Sequence, residues 1–209
     1  AGIAAGWKNS GKGVGIIDSG RCKLQVKNGK VYILTSAACM GQGIAIMCKT
    51  MLCEATGIDP RCVVHEAADT MKTPDSGTST ASRQTVVTGE AVRKVGLKLK
   101  ADLDQGMTLE QLEGKEYYDE FHPMTDGLNN TKDAPIYHVS YSYGVQVVIL
   151  NEEGRVERVV AAYDVGVPVN IQSVEGQIEG GMVMGLGYAL TEDFKCEDGY
   201  CKTKLGTLG

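Results

Sequence analysis

Aromatic rings are scarce in this sequence, whereas glycine is abundant. Two Phe and one Trp stand against 27 Gly in 209 residues. This balance excludes a core built mainly on stacked rings, and it favours close backbone packing and many tight turns. With 43% hydrophobic residues, the chain is long enough for one large or two small domains with a substantial core.

Several classes of protein are excluded by what is missing. The formal net charge is -5 and no basic stripe is present, so we expect no nucleic-acid partner. No apolar run approaches the roughly 20 residues of a membrane span, and no signal peptide opens the chain, so we expect no membrane association. The seven cysteines form no paired framework, and only Cys196 and Cys201 are spaced to close a small loop. We therefore predict reduced thiols in a cytoplasmic protein.

A metal ion held directly by side chains is not expected. The three histidines are scattered along the chain. Cys62 and His65 have the spacing of a metal-binding pair, but a zinc site needs a second pair, and none follows.

A polar segment from Asp69 to Thr85 is rich in hydroxyl groups and contains almost nothing suited to a core. It leads into a predicted helix, so it offers backbone N–H groups, hydroxyls and a helix N-terminus, which together suit an oxyanion such as phosphate. Ser79, Thr80 and Ser82 are candidate N-caps, and Arg83 would add a planar cationic fork. A solvent-exposed loop before a well-capped helix accounts for the same residues.

Two further segments are rich in glycine. Met40-Gly-Gln-Gly43 places Gln42 between two glycines at a predicted strand-to-helix turn, where the backbone can approach a ligand and the amide is free. A turn residue facing water is the alternative. Between Glu175 and Glu192, apolar residues at helical spacing are interrupted by five glycines, each costing roughly 0.5–1 kcal/mol relative to alanine. Such a helix indicates another element or a cofactor packed closely against it.

The patterns together predict an α+β fold. A type I′ turn at Asn28-Gly29 indicates a hairpin, and Thr108 with Gln111 forms a capping box before a short helix. The remaining expected elements are strands near residues 1–20, 62–65, 137–150 and 156–163, helices after Gly43, from about Ser82 to Leu103 and from Ile171, and a long loop within 106–137.

Three motifs in this order resemble the xanthine dehydrogenase/aldehyde oxidase family of molybdenum hydroxylases. They are Met40-Gly-Gln-Gly43, Thr73-Pro-x-x-Gly-Thr-x-x-Ala-Ser-Arg83, and Asp164-Val-Gly166 followed by the glycine-rich run from Gly176 to Gly187. The similarity is to the second molybdopterin-binding half of the large subunit. It implies a cofactor-binding domain with mixed sheets and hairpins packed against helices. Residues 1–209 would form a C-terminal fragment, with a subdivision near 104–135.

The resemblance also implies a site. In the family these motifs hold a molybdenum-pyranopterin cofactor, which frequently carries a cytosine dinucleotide extension. Carried over by motif, the cofactor-binding residues are Gly41, Gln42, Gly43, Gly77, Thr78, Ser79, Thr80, Ala81, Ser82, Arg83, Gln177, Gly180 and Gly181. No catalytic residue is assigned in this chain, because the family's glutamate base belongs to a Gly-Glu-Pro-Pro motif that is absent here.

The implied activity is oxidation of a purine-like N-heterocycle or an aldehyde, with oxygen from water. The implied partners are the remainder of the large subunit, iron–sulfur centres with or without FAD in other domains or subunits, and a small-molecule substrate, in an oligomeric enzyme. The fragment alone is expected to be inactive. Two alternatives stay open: a non-catalytic binding module for a phosphorylated small molecule, and a structural domain in which the glycines serve packing.

Overall fold

The computed structural model describes residues 1–203, which divide into two compact units. The first unit comprises Ala1–Asn170, and the second begins at Ile171. The segment 104–135, where the sequence indicates a subdivision, lies inside the first unit. The mixture of helices and sheets confirms the predicted α+β class.

The first unit contains seven strands, two α-helices and two short helical segments. The strands are β1 Gly2–Ser10, β2 Gly20–Lys27, β3 Lys30–Leu34, β4 Val63–His65, β5 Glu116–Phe121, β6 Ser140–Leu150 and β7 Val156–Asp164. The helices are α1 Ile44–Thr56 and α2 Gly89–Asp104, with a 3-10 turn at Pro60–Cys62 and a π-helical segment at Gln84–Thr88.

A four-stranded sheet in the order β4-β3-β2-β5 supports the main core. The β2–β3 hairpin turns through Asn28 and Gly29 at φ 53° and 66°, which confirms the predicted type I′ turn. The alternating apolar side chains of this hairpin are buried beneath α1 and α2. Helix α1 follows Gly43 as predicted and ends at Gly57, whose φ of 77° and N–H bond to the Cys53 carbonyl form a left-handed C-cap.

Predictions made from local sequence patterns were wrong at three places in this unit. The helix predicted from about Ser82 begins with the π-helical segment, and no side chain caps it, so Ser79, Thr80 and Ser82 are not N-caps. The capping-box contacts of Thr108 and Gln111 form, yet successive turns replace the short helix. Strand β5, in a stretch predicted to be irregular, forms because it pairs with β2, a partner distant in sequence.

A second sheet of the first unit is antiparallel, in the order β1-β6-β7. Its β6–β7 hairpin matches the strands predicted over 137–163, and β1 matches the strand predicted near the start of the chain. Most side chains of this sheet are exposed or only partly buried.

The second unit consists of helix α3 (Ile171–Leu190) and a small hairpin of β8 (Cys196–Glu197) and β9 (Tyr200–Cys201). Nothing lies within 4 Å of a Cβ built on Gly176, Gly180, Gly181 or Gly185. The close neighbour expected for this helix therefore stays a prediction. Among residues 1–203, no helix combines the length and apolar character that a membrane crossing needs.

Candidate cofactor-binding site

A buried arginine supports the hydroxyl-rich loop from inside. The Nε atom of Arg83 lies 2.7 Å from Oδ1 of Asp18, and the two side chains are 0% and 2% exposed. Nη1 of Arg83 donates to the carbonyl oxygens of Ser76 and Thr78 at 2.8 and 2.9 Å. Nη2 donates to the carbonyl of Ser19. The guanidinium thus ties the loop to the segment before β2.

This arrangement corrects the expected role of Arg83. The sequence predicts a cationic fork offered to an oxyanion, whereas the fork faces inward and its donors are taken by Asp18 and carbonyl groups. A buried guanidinium needs such partners, because an unpaired charge is costly in the interior. Arg83 therefore shapes the loop without reaching its surface.

The inward carbonyls turn backbone donors of the loop outward. Since the C=O and N–H of a trans peptide point in opposite directions, the inward Thr78 carbonyl directs the N–H of Ser79 away from Arg83. The N–H groups of residues 78–82 have no acceptor within residues 1–203. Ala81 and Ser82 adopt left-handed backbone at φ 52° and 49°, a strained conformation that costs about 1–3 kcal/mol per residue. The loop is therefore held in a donor-rich conformation.

The π-helical segment holds the loop from its C-terminal side. Gln84 is buried, and its Nε2 donates to Oγ of Ser79 at 3.0 Å. Its Oε1 accepts from the Thr88 hydroxyl, which also contacts Oγ of Ser76 at 2.8 Å. π-helical turns occur frequently at functional sites. Here the wider turn accompanies a network of polar side chains directly beneath the loop.

The Gln42 turn meets the hydroxyl-rich loop at one carbonyl oxygen. Nε2 of Gln42 donates to the Ala38 carbonyl at 2.8 Å, and Oγ of Ser79 donates to the same oxygen at 3.1 Å. Oε1 of Gln42 accepts from the N–H of Met40 at 2.6 Å. Two motifs that are far apart in the sequence are thus adjacent, as expected for residues of a shared site.

The start of α1 forms a nest of backbone donors. Gly41 and Gly43 have φ of 105° and 84°, which a residue with a side chain rarely adopts. The pKa of the exposed Cys39 thiol is lowered by nearby backbone N–H groups. The N–H of Gly41 has the largest effect, and those of Ile44, Gly43 and Gln42 contribute less. Four consecutive N–H groups therefore favour negative charge at one place, in front of a helix N-terminus.

The structure brings residues 41–43 together with residues 77–83. Three further predicted residues are exposed on α3 of the second unit: Gln177, Gly180 and Gly181. Their predicted contact with the cofactor stays a prediction. In the part of the chain that the structure describes, no group of three or more His, Cys, Asp or Glu side chains is arranged to hold a metal ion.

Three residues of this region were not identified from the sequence. Asp18 is isolated among glycines and carries no pattern. Gln84 follows directly after one family-like motif, and Cys39 directly precedes Met40-Gly-Gln-Gly43. Their positions beside these motifs were the only feature of the sequence that could have indicated a place in the site.

Sequence similarity to known proteins assigns the chain to one family. Residues 1–206 match the family described as the molybdopterin cofactor-binding domain. The gamma subunit of the 6-hydroxypseudooxynicotine dehydrogenase complex of Paenarthrobacter nicotinovorans is 27% identical, over 94% of this chain and 29% of its own length. A probable xanthine dehydrogenase subunit of Bacillus subtilis is 28% identical, over 95% of this chain and 31% of its own length.

The same relationship is found among solved structures. The aldehyde oxidoreductase of Desulfovibrio desulfuricans superposes with a TM-score of 0.78 at 28% identity, over 93% of this chain and 23% of that protein. The chain thus spans less than a third of the length of these relatives. It belongs to the molybdopterin cofactor-binding domain family of the xanthine dehydrogenase/aldehyde oxidoreductase type.

Proposed function

We propose that residues 41–44 and 77–82 together contact the pterin and phosphate groups of a molybdenum-pyranopterin cofactor. The observation that carries this proposal is the meeting of Gln42 and Ser79 at the Ala38 carbonyl, which joins both family-like motifs in one surface. Gln177, Gly180 and Gly181 of α3 would complete the contacts. A cytosine dinucleotide extension would require further contacts along the hydroxyl-rich loop.

The residues present suit such a group. The N–H groups at the start of α1 and those of residues 78–82 are donors for oxyanions such as phosphate. The hydroxyls of Thr80 and Ser82 are exposed and add further donors. Gln42 uses one N–H and one oxygen lone pair locally, which leaves a donor and an acceptor for the polar edge of a pterin.

The complete enzyme, we infer, hydroxylates an N-heterocycle of purine-like character or an aldehyde, with oxygen from water. The names of the relatives, which refer to xanthine, aldehydes and 6-hydroxypseudooxynicotine, support this substrate class. When bound, the cofactor supplies two-electron oxidation chemistry. This chain contributes binding and orientation, while the proton-accepting glutamate, the iron–sulfur centres and any FAD lie elsewhere. The seven free cysteines support a cytoplasmic location.

Replacing Gln42 by alanine in the complete enzyme should lower molybdenum and pterin content without a comparable loss of thermal stability. Without Gln42, a polar group of the bound pterin is left without its partner, which costs roughly 1–3 kcal/mol, or about 5- to 150-fold in affinity. Metal analysis and pterin quantification per large subunit measure the effect. Gln25→Ala is the matched control, because Gln25 is also partly exposed and bonded, to Glu116, but lies on β2. Full cofactor content in Gln42→Ala with a lowered Tm would support a structural role instead.

The second sheet of the first unit has an apolar face, which we call the Trp7 face. Trp7 is directly opposite Tyr143, and Ala5 is opposite Val145, so these side chains lie on the same side of the sheet. The face also includes a row of three side chains, in which Val147 lies between Ile3 on β1 and Val160 on β7. Trp7 is 74% exposed and Ile3 is 76% exposed.

We propose that another part of the large subunit covers the Trp7 face. The relatives are more than three times as long as this chain, so most of the subunit is available as the partner. Asp164, opposite Tyr143, and Arg158, opposite Ile149, lie at the two ends of this side of the sheet, and the side chains between them are uncharged. Contiguous exposed apolar surface is typical of an interaction site. An apolar sheet face is stabilised by packing against another element.

Trp7 is the only tryptophan of this chain and reports directly on that interface. In the 209-residue chain we expect red-shifted emission that acrylamide quenches readily, because the ring is exposed. In the complete large subunit, the difference between the emission of the wild type and that of the Trp7→Phe variant gives the contribution of Trp7. This contribution should be blue-shifted and several-fold less quenched by acrylamide. Equal quenching of Trp7 in both proteins would contradict the proposal. Protection that appears in the short chain only at high concentration would indicate a second copy as the occupant.

A further inference from the structure

The small hairpin of the second unit places two thiols opposite each other. Cys196 on β8 is the direct register partner of Cys201 on β9, and both side chains are exposed. The connecting residues Asp198 and Gly199 have φ of 51° and 80°, as in a two-residue type I′ turn. The two strands are therefore held in this register by a tight turn.

The ladder of the hairpin brings these two side chains close. The N–H of Lys202 donates to the carbonyl of Lys195 at 2.8 Å, and this pair is the next one along the ladder. Hydrogen-bonded and non-hydrogen-bonded pairs alternate between antiparallel strands, so Cys196 and Cys201 occupy a non-hydrogen-bonded pair. Cα atoms in such a pair lie about 4.5 Å apart, within the range of about 4.4–6.8 Å found for disulfides.

No other two cysteines are opposite each other in the strand pairs that the structure describes. Cys22 and Cys48 are buried in the core, and Cys39 is exposed in the turn before α1. The thiol of Cys201 donates to the Thr203 carbonyl, at 3.6 Å. Cys196 and Cys201 are thus the exposed cysteines whose backbone positions suit a disulfide within the described strand pairs.

We propose that Cys196 and Cys201 form a reversible dithiol–disulfide pair, oxidised by a hydroperoxide. With a hydroperoxide, one thiolate attacks the terminal oxygen, the O–O bond breaks, and an alcohol leaves while that cysteine becomes a sulfenic acid. The second thiolate then attacks this sulfur, the S–S bond forms and water leaves. The two cysteines lose two electrons, the peroxide gains them, and both thiol protons end in the alcohol and water.

Exposure favours reversal. Both side chains are accessible, and exposed disulfides are the more readily reduced ones. A dithiol reductant would restore both thiols by exchange through a mixed disulfide. The oxidised form would staple the hairpin closed, and the reduced form would leave it held by its short ladder alone.

The test uses the complete enzyme in its cofactor-free form, in which Cys39 is accessible, treated with hydrogen peroxide, quenched with iodoacetamide and digested for peptide masses. We expect the peptide spanning both cysteines to lose two hydrogens and both alkylation sites, and dithiothreitol to restore both sites. Cys39 is the control, because it is exposed without a cross-strand partner and its oxidation shows that oxidant was sufficient. Alkylation of both hairpin cysteines after Cys39 has been oxidised would overturn the proposal.

Cys196→Ser provides a second test. Cys201 should then lose its protection from alkylation and accept glutathione as a mixed disulfide in the presence of oxidised glutathione. Both hairpin side chains are exposed, so we expect this substitution to leave the fold unchanged. A link from Cys201 to another cysteine in the untreated wild-type digest, or between two chains, would also overturn the assignment.

Discussion

Replacing Arg83 by alanine should lower the free energy of unfolding by about 3–5 kcal/mol, the cost typical of breaking a buried ion pair. The substitution leaves Asp18 buried without its cationic partner and frees the inward carbonyls of Ser76 and Thr78. Equilibrium urea unfolding of the chain, followed by circular dichroism, measures the change. A loss of this size in one residue would be a large fraction of the stability of a typical domain.

Two further variants make this result interpretable. Arg93→Ala removes an exposed pair with Glu90 of the same 2.7 Å length, which should cost no more than about 1 kcal/mol. The double variant Asp18→Ala/Arg83→Ala should be less destabilised than the sum of the single variants, because neither charge is left unpaired. An Arg83→Ala effect equal to that of Arg93→Ala would show that the buried pair does not support the loop.

Gly20→Ala should destabilise the chain by at least about 1–3 kcal/mol, the usual cost of overpacking. A Cβ at this position would lie 2.2 Å from the Val87 carbonyl oxygen and 2.6 Å from its carbon, so backbone must move. That backbone belongs to the π-helical segment, which holds Ser79 through Gln84. We therefore expect cofactor content of the complete enzyme to fall together with the urea midpoint.

Gly2→Ala is the matched control for this substitution. Gly2 is also the first residue of a strand, and nothing lies within 4 Å of a Cβ built there. Its free energy of unfolding should change by no more than ordinary surface substitutions change it, about ±0.5 kcal/mol. Similar effects of the two substitutions would mean that contact between β2 and the π-helical segment does not constrain the site.

Elements determined by local chemistry were predictable from the sequence. The turn at Asn28-Gly29 depends on residues that tolerate left-handed backbone, and it forms as expected. The C-cap of α1 at Gly57 depends on the same property of glycine. Strand β5 was missed because charged residues interrupt its apolar pattern and its partner β2 is distant in sequence. The π-helical start before α2 was also missed, because it depends on tertiary contacts of Gln84 and Thr88.

The candidate site was predictable in its location more than in its internal contacts. The family-like motifs identify the Gln42 turn and the hydroxyl-rich loop, and these two segments do meet. A pattern cannot show which way a guanidinium points, so Arg83 was expected at the surface. The deciding residue is Asp18, whose carboxylate draws Arg83 into the interior and carries no local signal of its own.

Protection of Cys39 by the cofactor tests the central claim most directly. Backbone N–H groups, among which that of Gly41 has the largest effect, lower the pKa of this exposed thiol. A larger fraction of Cys39 is therefore thiolate near neutral pH, and it should react faster with iodoacetamide in the cofactor-free enzyme. If the same N–H groups bind the cofactor, alkylation of Cys39 should slow strongly in the loaded enzyme, while the rate at Cys62 stays unchanged. Equal rates of Cys39 alkylation in the two forms would contradict a cofactor site at the start of α1.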